Sequence, residues 1–111
     1  MPNIGNSPVK HSLKAVVNIS SSGDNTIITG VSGKRIKIST LFFIVEGDVS
    51  ITLYNGATAI SGPMSFGGTN EPKGIISNYG DAPLKITQGN SFVVNLSAAV
   101  QVSGQVCYSL E

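Results

Sequence analysis

The side chains in this sequence that could take part in acid–base, nucleophilic or metal chemistry are six carboxylates, one histidine and one cysteine. Glu46 and Asp48 flank Gly47 and could both reach a Ca²⁺ ion. Such a site takes about six to eight oxygen ligands, so two carboxylates in a turn fall short. The other carboxylates are predicted in turns, at strand ends or at the terminus, and we expect no metal site. They are Asp24, Glu71, Asp81 and Glu111.

The histidine and the cysteine are the remaining candidates for nucleophilic catalysis. A Ser–His or Cys–His pair needs a carboxylate that orients the histidine, and nothing in the sequence marks such a partner for His11. Cys107 has an outward position in the last predicted strand, where we expect an inert thiol. One cysteine and one histidine also exclude a disulfide or a His/Cys metal cluster within the chain. The sequence therefore predicts a protein that is not an enzyme and has no cofactor.

The charge balance limits the partners. Seven basic and six acidic residues give a net charge of +1, which provides no field that attracts a polyanion. Lys34, Arg35 and Lys37 are too few for a nucleic-acid groove, although they could pair with an acidic protein. No apolar run approaches the roughly 18 residues that a membrane span requires. We expect neither nucleic acid nor a membrane as a partner.

The charged residues are also sparse. A folded chain of 11.5 kDa exposes roughly 5,800 Å², which leaves about one charged side chain per 450 Å². Depletion of charge is typical of surface that another subunit covers. The alternative is an ordinary sandwich that hydroxyls and amides solvate. We favour the covered surface, because uncharged strand edges readily pair with one another.

The elements that must position these residues are strands. Eleven valines and twelve isoleucines alternate with turn clusters of Gly, Ser, Asn and Pro, and no window shows helical spacing. We predict an all-β protein, with residues 13–111 forming a single antiparallel β-sandwich, jelly-roll-like, of eight or nine short strands. Gly47-Asp48 and Asn55-Gly56 are predicted hairpin turns. The predicted strands are Leu13–Ile19, Thr26–Val31, Lys34–Glu46, Val49–Tyr54, Ala59–Phe66, Gly74–Ser77, Leu84–Thr87, Ser91–Ser97 and Val100–Leu110.

The first twelve residues have a different character. Met1–Ser12 is polar and without periodicity, which predicts an extended N-terminal arm that is either frayed or ordered only against a partner. It has neither the basic start nor the apolar stretch of a secretion signal, so we expect a protein that is made and kept in the cytoplasm. The arm residues that we expect at a subunit interface are Pro2, Asn3, Ile4, Pro8 and Lys10.

One predicted strand, Lys34–Glu46, changes its pattern halfway along. Ile36 and Ile38 share one face, whereas the apolar residues Leu41, Phe43 and Val45 have the opposite parity. A strand in a two-layer sandwich buries one face only, so something must cover these three side chains. The arm or a long loop could do so, but we favour another subunit, because large exposed apolar patches mark interaction sites.

Four segments carry a resemblance to a known group of proteins: Asn25–Ile38, Ser50–Gly56, Ile60–Phe66 and Asn95–Gly104. Their succession of strands and turns resembles the small capsid decoration, cement or staple proteins of tailed bacteriophages, and is similar to the stapling proteins of epsilon15-like phages. The resemblance implies a jelly-roll-like sandwich on the exterior of the virion capsid. It also implies copies that associate as a homo-dimer or homo-trimer at a symmetry axis and clamp neighbouring subunits of the major capsid protein.

The sequence therefore favours a structural virion protein that staples capsid subunits against internal DNA pressure. The alternative is a carbohydrate- or receptor-binding β-sandwich module of a phage fibre or bacterial surface, in which Tyr54, Phe66 and Tyr79 could stack on a sugar. A subunit of a bacterial protein complex would share the physical features of the first interpretation. The oligomeric mass of the purified protein tests the argument from sparse charge.

Overall fold

The computed structural model describes residues 13–67 and 73–111, which form two packed antiparallel sheets with no helix among them. Branched and aromatic residues dominate the strands, and Gly, Ser and Asn occupy the turns. The strands are β1 (Leu13–Ile19), β2 (Gly23–Ile28), β3 (Ile36–Val45), β4 (Val49–Asn55), β5 (Thr58–Ala59), β6 (Met64–Phe66), β7 (Lys73–Asn78), β8 (Leu84–Lys85), β9 (Phe92–Leu96) and β10 (Val102–Leu110).

The ten short strands fill eight positions. Sheet I has the order β1-β10-β3-β7, and β8 pairs with β3 beyond the end of β7. Sheet II has the order β2-β9-β4-β5, and β6 pairs with β4 in the same way. This order, in which the chain passes repeatedly from one sheet to the other, is that of a jelly roll. The all-β sandwich that the sequence predicts is confirmed.

The core lies between the sheets and is entirely apolar at its centre. Each sheet contributes alternate residues of its strands, as expected for two layers that each bury one face. An aromatic contact joins Phe43 and Phe66, whose ring centroids lie 5.7 Å apart at an angle of 67°. The largest fully buried side chains are Phe43, Phe92, Ile36, Ile38, Leu41, Ile51, Ile86 and Leu96.

A β-bulge in β3 explains the change of pattern in that strand. Cys107 of β10 pairs with Thr40 and Tyr108 pairs with Ile38, so Ser39 is an extra residue. An extra residue shifts the inward parity by one position. The Ser39 hydroxyl donates a hydrogen bond of 3.1 Å to the Cys107 carbonyl, and the Ser39 carbonyl accepts one of 2.9 Å from the Tyr79 amide. The hydroxyl and the main-chain carbonyl of the extra residue are thereby satisfied.

The bulge overturns one prediction. Leu41, Phe43 and Val45 were expected to need cover from an arm, a loop or another subunit, but they point into the core and are at most 1% exposed. Sheet II covers them. The side chains that point outward from this half of β3 are Phe42 and Ile44, which share a sequence parity with Ile36 but lie beyond the bulge.

The two predicted hairpin turns have different outcomes. Asn55-Gly56 is confirmed, since Asn55 pairs with Thr58 and Gly56 has the positive φ of 61° that favours glycine. The prediction for Gly47-Asp48 is wrong, because β3 belongs to sheet I and β4 to sheet II. That turn is a corner between the layers. A further difference is that β2 begins at Gly23, ahead of its predicted start at Thr26, because pairing of this segment with β9 outweighs its turn propensity.

Met1–Ser12 lies outside the described residues, and with it the interface candidates Pro2, Asn3, Ile4, Pro8 and Lys10. His11 and Glu71 lie outside them as well. Among residues 13–67 and 73–111, no helix is long and apolar enough to cross a membrane.

Candidate protein-binding surface

The outer face of sheet I carries three rows of side chains that run across β1, β10, β3 and β7. Residues directly opposite each other in antiparallel strands point to the same side, so the pairing register defines each row. We name this surface the open face. Its rows are Lys14–Cys107–Thr40–Asn78, Val16–Gln105–Phe42–Ile76 and Asn18–Ser103–Ile44–Gly74. The only charged side chain in these rows is that of Lys14.

Large apolar side chains stand exposed on the open face. Val16 is 72% exposed and Ile76 is 76% exposed, on the two edge strands, while Phe42 and Ile44 are 39% and 50% exposed on the central strand β3. Surface apolar residues are ordinary when scattered, but here four of them lie in two adjacent rows of one flat sheet. Phe42, Ile44 and Ile76 adjoin one another and form an apolar patch, whereas Val16 lies across β10, with Gln105 between it and Phe42.

A shallow hollow of about 330 Å³ lies on the open face between β3 and β7, lined in part by Phe42, Ile44 and Ile76. Its floor depends on Gly74. A Cβ atom at position 74 would overlap the Phe43 carbonyl oxygen and would lie 2.8 Å from the Ile44 Cδ1 atom. Glycine therefore allows β7 to approach β3 closely and leaves the space beside Ile44 open.

Charged groups lie beyond both ends of the open face. Past the bulge, Lys37 pairs with Lys85, and both face outward next to Arg35. Glu111 contacts two of these cations, with its carboxylate 3.5 Å from the Lys37 Nζ atom and 3.8 Å from the Arg35 guanidinium. At the opposite end, Glu46 follows β3 in the outward parity of Ile44 and is exposed. The patch therefore has a basic end and an end that carries a carboxylate.

The outer face of sheet II is different in character. Asp24 accepts a hydrogen bond of 2.8 Å from the Asn95 side chain, and the hydroxyls of Ser50 and Ser65 lie 3.3 Å apart. Thr26 is exposed on the edge strand β2. These groups are solvated or bonded to one another, as on an ordinary water-facing sheet. The apolar character of the open face is thus specific to sheet I.

The structure therefore brings together a set of residues that the sequence prediction missed. Leu41, Phe43 and Val45, predicted for the interface, are core residues. The exposed residues of β3 are their neighbours, Phe42 and Ile44. The polar Ser39-Thr40 pair lies where the parity changes, but a polar pair alone does not predict an extra residue.

The groups considered for chemistry and for sugar stacking lie apart. In the described parts of the chain, no three His, Cys, Asp or Glu side chains cluster in a way that could hold a metal ion. Phe66 packs against Phe43, and Tyr79 packs against the core. Tyr54 has an outward position on sheet II, whereas Phe66 of the same sheet points into the core, so Tyr54 does not share a surface with a second candidate stacking residue.

No family model, curated protein or solved structure matches this chain.

Proposed function

We propose that this protein is a non-catalytic structural component of a bacteriophage virion, which binds the capsid exterior and staples neighbouring major capsid subunits against internal DNA pressure. The observation that supports a binding role is the open face. The surface of sheet I exposes Val16, Phe42 and Ile76 and carries a single charge. Contact of such a surface with water is unfavourable, and contact with another protein is favourable. The resemblance of the sequence to capsid decoration proteins supports the choice of a phage head as the assembly.

Attachment of this kind needs no strong single contact. Many copies on one shell act together, because the first contact of each copy raises the effective concentration for the next. The arm, Met1–Ser12, provides a second attachment in this proposal, and an edge strand of a sheet can pair with a strand from a partner through main-chain hydrogen bonds.

The test uses phage heads with and without the protein. We expect heads that lack it to release DNA on mild heating, because the bridges between capsid subunits are missing. Adding back the purified protein restores the heat resistance. Equal heat resistance with and without the protein contradicts the proposal.

A second experiment measures attachment directly by co-sedimentation with empty shells. We expect a variant without residues 1–12 to bind more weakly than the full chain. Unchanged co-sedimentation of this variant removes the arm from the proposal and leaves residues 13–111 as the part that binds the shell.

The geometry gives no specific support to the alternative, a carbohydrate- or receptor-binding module, because Tyr54, Phe66 and Tyr79 do not form one stacking surface. A glycan array separates the two functions. Strong, specific glycan binding supports the alternative, and its absence together with binding to shells supports the structural role.

A further inference from the structure

We infer that a second copy of this chain occupies the open face, with the two sheets I packed face to face and their strands antiparallel. The inference rests on the proposal above that the open face binds protein, and it names the occupant. Three features of the open face carry it: its apolar centre, the order of charges along β3, and its size.

The first feature is the position of the apolar residues. Val16, Phe42 and Ile76 lie in a single row across the sheet, with Gln105 between Val16 and Phe42, so a two-fold axis that runs along this row brings each residue against its own counterpart. The Gln105 amide can both donate to and accept from the same amide of the other copy. An isologous contact of this kind requires a self-complementary patch. Apolar side chains meet that requirement, because contact between like residues brings no electrostatic penalty.

The second feature is the arrangement of charge about the same row. Glu46 lies two rows beyond Phe42 on β3. Lys37 lies two rows before it, because the extra residue at the bulge keeps Lys37 on the outward side. The two-fold axis along the central row therefore directs Lys37 of one copy towards Glu46 of the other, twice in each dimer.

The lateral fit of this pair is adequate. Rows are about 6.8 Å apart along the strands, so each charge lies about 14 Å from the axis. Aligned sheets cross at about 30°, which displaces the pair sideways by about 8 Å, a distance that the long lysine and glutamate side chains can close.

The charges also select this arrangement over its alternative. A two-fold axis parallel to the strands would also place the faces in contact, but it would bring the basic ends together. Lys37 and Lys85 of one copy would then meet the same residues of the other, with a single nearby carboxylate, Glu111, in each copy. Like charges across an interface suppress such a geometry.

The third feature is size. The three rows of the open face, together with the flanking rows of Lys37 and Glu46, cover about 19 Å by 27 Å, or about 500 Å² from each copy and about 1,000 Å² in total. This is at the lower limit of specific interfaces and well below that of an obligate dimer. We therefore expect a reversible dimer with a dissociation constant on the order of 10–100 μM.

Sedimentation equilibrium between about 1 μM and 1 mM tests the inference. We expect Ile76→Lys to weaken the dimer at least tenfold, since the change places a charge in the central row. The matched control is Thr26→Lys, which puts the same side chain on an exposed edge strand of sheet II and leaves dimerisation unchanged. Equal effects of the two substitutions overturn the inference.

Charge reversal tests the antiparallel arrangement. Lys37→Glu and Glu46→Lys should each weaken the dimer about tenfold, and the double variant should regain most of the original affinity. Loss of the contact between Lys37 and Glu111 is common to the single and the double variant, so rescue reports the contact between copies. Failure of rescue overturns this arrangement.

The remaining outcomes identify other occupants or separate this inference from the proposed function. A chain that is monomeric at 1 mM overturns the inference, and a dimer that forms only after deletion of residues 1–12 shows that the arm covers the face. If the chain is monomeric but Ile76→Lys abolishes binding to shells, the occupant is the capsid. If the dimer forms but the chain does not bind shells, the inference stands and the proposed virion function fails.

Discussion

Truncation of two adjacent phenylalanines tests the bulge in β3 and the assignment of the open face together. Phe43 is 1% exposed and packs edge-on against Phe66, whereas its neighbour Phe42 is 39% exposed. Phe43→Ala should therefore destabilise the fold far more than Phe42→Ala. Without the bulge, the order of the two effects would be reversed, because Phe42 has the sequence parity of the buried residues Ile36 and Ile38.

The expected magnitudes follow from burial. Phe43→Ala removes a fully enclosed ring and leaves a cavity, which costs about 3–5 kcal/mol of unfolding free energy. Phe42→Ala loses only the transfer energy of a partly covered ring, about 1–2 kcal/mol, and leaves no closed cavity. In a domain of this size, the loss at Phe43 corresponds to a fall in Tm of about 10–25 °C.

The assay is urea unfolding followed by far-UV circular dichroism, since the chain has no tryptophan to report by fluorescence. Measurement near 1 μM keeps the protein below the expected dissociation constant of the dimer, so association does not add to the apparent stability. Equal losses for the two variants, or a larger loss for Phe42→Ala, would refute the register of β3 and with it the open face.

Three further substitutions test the same strand and its neighbours. Gly104→Ala should destabilise the protein by about 3 kcal/mol in urea unfolding, because a Cβ there would overlap a main-chain carbonyl of β3, and a loss below 0.5 kcal/mol would contradict that contact. Ser39→Ala should cost about 1 kcal/mol by the same measurement, since it leaves the Cys107 carbonyl without its hydroxyl donor; no loss would mean that the hydroxyl does not support the bulge. Glu111→Gln should change the stability by less than about 0.5 kcal/mol, because its ion pairs are exposed, and a larger loss would show that they are stronger than their exposure indicates.

Much of the fold could be predicted from sequence because its signals are local. β1 was predicted with its observed bounds, because alternation from Leu13 to Ile19 ends at a run of serines. The Asn55-Gly56 hairpin could be predicted because a positive φ strongly favours glycine. The corner at Gly47-Asp48 has the same kind of local signal, but which sheet each flanking strand joins depends on pairing partners far away in the chain.

The open face could not be predicted for a related reason. The inward side of β3 is set by pairing with β10, and a single extra residue, Ser39, reverses it for the rest of the strand. The sequence shows apolar residues on both parities of this strand, but it does not state where the parity changes. The apolar surface therefore lies on the predicted strand, but Phe42 and Ile44 form it, and their neighbours Leu41, Phe43 and Val45 do not.

The few charged residues of the chain are distributed unevenly over the structure. Basic residues gather where β3 begins, around Lys37 and Lys85, while the outward rows across the middle of sheet I contain only Lys14. Sheet II, with a similar number of strands, keeps a polar outer face that carries Asp24. The two outer faces therefore each carry one charge, and they differ in that the large exposed apolar side chains of the strands lie on sheet I. A side that carries little charge and exposes Phe42 and Ile76 is more stable in contact with protein than with water.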